Sequence, residues 1–91
     1  MTKRDKLEKE IKESLLELGI EEVQHYYNDY WNKKEVDYNI AQYGGLLIYY
    51  DDIRELYRKC GYKVENYSDM KLWEGYKVVV GKMTRELMKE V

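Results

Sequence analysis

Proline and phenylalanine are absent from this chain, and cysteine and histidine occur once each among 91 residues. A single cysteine excludes a disulfide framework within one monomer and fits a reducing compartment. No Pro-rich, Ser-rich or low-complexity stretch divides the chain, so residues 1–91 read as one domain. No segment approaches the ~18 consecutive apolar residues that a membrane span requires. The opening Met1-Thr2-Lys3-Arg4-Asp5-Lys6 has no apolar run behind it, so we expect no secretory signal and a cytoplasmic location.

The motifs of common chemistries are also missing. Neither GxGxxG nor GxxxxGK[ST] occurs, and Gly44-Gly45 lacks the Lys-Ser/Thr that would make a phosphate loop. Glu22 and His25 have the Glu-x-x-His spacing of a carboxylate-bridged metal site, but such a site needs that motif on two helices and this chain has one histidine. Cys60 and His25 are the only soft ligands, too few for structural zinc. As a thiolate and base they would have to meet in space, and core packing is the plainer reading of Cys60. Asp51, Asp52 and Glu55 cluster, but neighbouring helical residues point about 100° apart and do not converge on a metal by themselves. We therefore expect no metal, no cofactor and no enzymatic activity.

What the chain does have is amphipathic periodicity. Thr2 and Asp5 fit a capping box. Leu7, Ile11, Leu15 and Leu18 then form one stripe, with Glu8–Lys12 a favourably oriented pair one turn apart. Gly19 closes that helix, and Ile20 is expected to fold back on its last turn. A second helix is predicted from about Ile20 to Trp31, with Val23, Tyr26, Tyr27, Tyr30 and Trp31 on its apolar face.

Residues 37–61 admit two readings. As a helix, Ile40, Tyr43, Leu47, Tyr50, Ile53 or Arg54, Tyr57 and Cys60 fall near one stripe and Gly61 stops it. The rival is a β-hairpin over 38–50 turning at Gly44-Gly45, with Asp52 capping a short helix after it. The helical period is the better match. The last helix should start after a Ser68 cap, with Met70, Trp73, Tyr76, Val80, Met83, Leu87 and Val91 as its stripe. The predicted fold is all-α, a bundle of about four helices; the alternative is α+β and winged-helix-like.

Charge is unevenly laid out. Residues 21–55 carry eight acidic and three basic groups, whereas 56–91 carry five acidic and eight basic. Ten of the eleven tyrosines fall between Tyr26 and Tyr67, interleaved with the acidic block. Adjacent pairs such as Tyr26/Tyr27 and Tyr49/Tyr50 cannot both turn inward, so several rings should be exposed, where Tyr offers large contact area at low rotamer cost.

These features point to a protein-binding module whose surface combines Tyr27, Asp29, Tyr49, Asp51, Asp52 and Glu55. Its expected partner is another protein, such as a nucleic-acid-handling enzyme whose basic groove the carboxylates would occupy, a use that recurs among inhibitors from phages and mobile elements. The alternative is a DNA-binding accessory or repressor protein, a homodimer, that uses Lys71, Lys82, Arg85 and Lys89 on one face of the last helix. An overall net charge of −2 weighs against it, because phosphate neutralisation supplies most non-specific affinity.

Overall fold

The computed structural model describes residues 1–29 and 49–89, with the side chains of 25–29 excepted. These residues form four α-helices, α1 (Lys3–Leu18), α2 (Ile20–Asp29), α3 (Tyr50–Lys59) and α4 (Asp69–Lys89), with a short 3-10 turn at Val64–Asn66. Among the described residues there is no strand, and the fold is all-α. Tyr50, the last residue of the alternative hairpin, is the first residue of α3; residues 37–48, with both adjacent glycines, lie outside the described residues.

The start of α1 follows directly from its sequence. The Asp5 N–H donates to Thr2 Oγ1 at 3.0 Å and the Thr2 N–H donates to Asp5 Oδ2 at 3.3 Å, satisfying two of the donors that a helix start leaves open. Leu7, Ile11 and Leu15 are buried, each removal from water contributing about 1.5–3 kcal/mol, and Leu18 packs at the edge of the same core. Gly19 takes φ 106°, a conformation that costs a side-chain-bearing residue strain, and its N–H bonds the carbonyls of Leu15 and Leu16. Ile20 opens α2 and remains exposed rather than folding back. Val23 is the fully buried residue among the side chains of α2 that are described; Tyr30 and Trp31 lie outside the described residues.

α3 begins without a side-chain cap. Its N-cap is Tyr49, and Asp52 stands inside the first turn instead of at the cap. Two aspartates at the start and Arg58 and Lys59 at the end complement the helix dipole. Gly61, at φ 97°, ends the helix in a Schellman motif: its N–H bonds Arg58 O at 2.9 Å, and the Tyr62 N–H bonds Tyr57 O at 3.0 Å. The apolar contact that accompanies such motifs is here aromatic, the Tyr57 and Tyr62 rings meeting edge-on at 5.0 Å.

Ser68 caps α4, its Oγ accepting from the Lys71 N–H at 3.2 Å. This 21-residue helix is the centre of the molecule, touching α1, α2 and α3. Leu72, Trp73, Tyr76, Val79, Val80, Met83 and Leu87 are all buried. Buried Thr84 satisfies its hydroxyl by donating to Val80 O at 2.8 Å. Met70, expected in the stripe, is exposed. Met70 stands in the first turn of the helix, and its exposure belongs to that end and not to its face, because Gly81, about 20° away around the same helix, is buried. Val91 lies outside the described residues.

Two ion pairs tie α1 to its neighbours. Glu8 meets Lys82 of α4 and lies 3.7 Å from Arg4 of its own helix; Glu10 accepts from Lys59 of α3 at 3.2 Å. Arg54 makes the principal polar tie between α3 and the approach to α4. Its guanidinium donates to Asp69 Oδ1 at 2.5 Å, Val64 O at 2.9 Å and Tyr67 O at 2.8 Å. A planar fork with several fixed donors is what such divergent acceptors need, and lysine cannot replace it. Arg54→Met should lower stability by about 1–3 kcal/mol, because two carbonyls lose charge-assisted donors. Arg54→Lys should recover less than half of that. Urea denaturation followed by circular dichroism reads both; a wild-type midpoint for Arg54→Met would show that the clamp contributes nothing.

Candidate functional site

Two surfaces carry the residues singled out by charge and aromaticity. The first is the outward side of α3. Ile53, Tyr57 and Cys60 turn one side of this helix into the core, leaving Asp51, Asp52 and Glu55 exposed on the other. Tyr49 stands just before them at 70% exposure, and Tyr50 is exposed as well. Glu55 pairs with Arg58, and Lys59 turns toward Glu10 of α1. The two cations at the end of α3 are thereby spent, and Asp51 and Asp52 have no ion-pair partner among the described residues. Asp51, Asp52 and Glu55 thus stand on one short helix, with Tyr49 as its N-cap. Tyr27 and Asp29 fall in the final turns of α2, where side chains lie outside the described residues.

The second is α4's charged row. Lys71, Lys82, Arg85 and Lys89 are all exposed and recur within a narrow arc opposite the buried stripe. The row is not uniformly basic. Lys82 is engaged by Glu8, and Val78, 57% exposed, sits in its middle.

Cys60 is buried at the end of α3. Burial first, and then the Glu10 carboxylate, push its thiol above the ordinary range and favour the protonated form. A thiolate nucleophile needs the opposite environment. His25 lies where no side chain is described. Among the described residues, no group of three or more His, Cys, Asp or Glu side chains gathers to hold a metal.

A feature that periodicity did not disclose is a notch of about 190 Å³ where α1, the end of α3, the 62–67 loop and α4 meet. Leu7, Leu72 and Gly75 line it together with Tyr57, Tyr62 and Tyr67, and Arg4 and Lys71 bring positive charge to it. The Schellman turn sets Tyr62 against Tyr57, and the Lys3 stem lies beside Gly61, fixing the start of α1 next to that turn. Gly75 allows the closest approach: a Cβ there would stand 2.9 Å from the Tyr57 hydroxyl. The available signals were Cys60-Gly61-Tyr62 as a helix stop with a tyrosine three residues before its glycine's neighbour, and a glycine inside a long helix.

Desolvation pushes Tyr57 up to about 12, helped by Tyr62, while the Arg4 charge opposes the shift. Burial likewise raises Tyr62, again against Arg4. Because the unfolded phenol ionises near 10, the native state holds the Tyr57 proton longer. Its stabilising contribution is complete below about pH 10 and is lost as pH rises toward about 12. A phenolate absorbance titration should therefore show a late component that disappears in Tyr57→Phe; identical titrations of the two proteins would contradict the burial argument. Comparison with protein-family models, with curated proteins and with solved structures finds no match to this chain.

Proposed function

We propose that this chain is a non-enzymatic protein-binding module that offers the outward side of α3 to a partner bearing cationic side chains. The supporting observation is that Asp51 and Asp52 are exposed and have no ion-pair partner among the described residues, beside the 70%-exposed Tyr49, although Arg58 and Lys59 lie on the same helix. Two solvated carboxylates next to a rigid amphipathic ring supply steering charge and contact area in one place. A basic groove that otherwise holds nucleic acid is the partner surface this arrangement suits, since solvated carboxylates offer it negative charge as phosphates do. An inhibitor of a nucleic-acid-handling protein would act in this way, as the small inhibitors of phages and mobile elements do.

The competing explanation of the two aspartates is local. Carboxylates in a first turn stabilise a helix by roughly 0.3–1 kcal/mol each through its dipole. That role and partner binding respond differently to substitution. Asp51→Lys/Asp52→Lys should reduce capture of a basic partner from a lysate of the native cells by at least about tenfold, because like charges then face each other. Asp51→Asn/Asp52→Asn, which leaves the fold closer to wild type, should reduce it less. Duplex DNA added as competitor should displace a partner held through a nucleic-acid groove. An unchanged set of captured proteins, with circular dichroism showing the variants folded, would reject the proposal. The DNA-binding alternative on Lys71, Lys82, Arg85 and Lys89 has weaker support, because Glu8 already neutralises Lys82 and Val78 interrupts the row.

A further inference from the structure

We infer that the notch between α1, α3 and α4 is a binding site for a small organic acid with a planar apolar body. Its apolar and aromatic lining comes from Leu7, Leu72 and the rings of Tyr57, Tyr62 and Tyr67. Arg4 and Lys71 supply the positive charge at the same cavity. Lys71 has no ion-pair partner among the described residues, and Arg4 is held only loosely by a carboxylate 3.7 Å away that Lys82 shares.

The Tyr57 hydroxyl supplies an independent pointer. Tyr57 is 6% exposed, and its hydroxyl has no hydrogen-bond partner among the described residues. A buried polar group without a partner is costly, and such groups in native structures call for an explanation. This hydroxyl stands over Gly75, and both residues line the notch. Its pKa near 12 keeps it protonated, hence a donor, throughout the physiological range. A carboxylate placed here would accept from the Tyr57 hydroxyl and meet the charges of Arg4 and Lys71, with its ring between tyrosine walls. The volume, about 190 Å³, lies below the roughly 300–1,000 Å³ of drug-sized sites and suits an acid of one ring. The site is separate from the outward side of α3 and does not depend on the reading of that surface.

Benzoate is the probe, titrated into the full chain while backbone amide resonances are followed by NMR. Saturable shifts should centre on Tyr62, Lys71 and Gly75. Benzamide, of the same shape without charge, should bind at least about tenfold more weakly, as should acetate, which keeps the charge without the ring. Tyr57→Phe removes only the hydroxyl and should weaken benzoate about fivefold. Arg4→Gln/Lys71→Gln, both at exposed positions, should weaken it about tenfold or more. Gly75→Ala, whose methyl enters the space beside the Tyr57 hydroxyl, should abolish binding. Equal affinity for benzoate and benzamide, shifts scattered away from the notch, or full affinity in Arg4→Gln/Lys71→Gln would each overturn the inference.

Discussion

The burial of α4 is the constraint on which the rest of the structure rests. One helix contributes Leu72, Trp73, Tyr76, Val79, Val80, Met83 and Leu87 to the core, and α1, α2 and α3 all seal against it. A helix buried on so wide an arc has little room for charge, so most of its cations stand on the remaining side and Lys77 lies at the edge, over the Trp73 ring. The same geometry decides the fate of charges on the surrounding helices. Glu8 and Glu10 sit on the flanks of the α1 stripe, and when Leu7, Ile11 and Leu15 dock, those flanks meet Lys82 and Lys59. The ion pairs follow from apolar packing. As surface pairs they each add at most about 1 kcal/mol, too little to have directed it.

The end of α3 shows how a local backbone device can create a cavity. A Schellman turn places the residue after its glycine against the residue five positions earlier, and here both are tyrosines. Their rings cannot collapse as aliphatic chains would, and Gly75 leaves room for the Tyr57 hydroxyl, which has no hydrogen-bond partner among the described residues. Arg54 braces the opposite side of the same loop by binding the carbonyls of Val64 and Tyr67. The notch is therefore walled by a stiff turn and a clamped loop, and its shape is largely set before any ligand arrives. Pre-organisation of this kind lowers the cost of ordering on binding.

Much of the helical architecture was legible beforehand because its signals are local. Thr2 with Asp5, the glycines at 19 and 61 and the Ser68 hydroxyl each act within about one turn of the chain, and all four sit where their spacing placed them. Leu7, Ile11 and Leu15, and Trp73 through Leu87, followed from a period of 3.6. The outward side of α3 was legible in part: Asp51, Asp52 and Glu55 do share the exposed side of a short helix capped by Tyr49, but Glu55 pairs with Arg58, leaving two carboxylates without an ion-pair partner among the described residues. Asp52 looked like a cap because its chemistry suits one, yet Tyr49 takes the cap and the aspartate serves the first turn.

The chain's own sequence determined both ends of α1, the stop of α3 and the start of α4, since capping, glycine geometry and hydrophobic periodicity act over a few residues. Only the tertiary structure decided that Glu8 belongs to Lys82, that Arg54 gathers three acceptors ten to fifteen residues ahead, and that Arg4, Tyr57 and Lys71 share one cavity. Those relations join residues far apart along the chain, and they exist because three helices compete for the surface of a fourth, a contest settled by shape and volume that no single segment records.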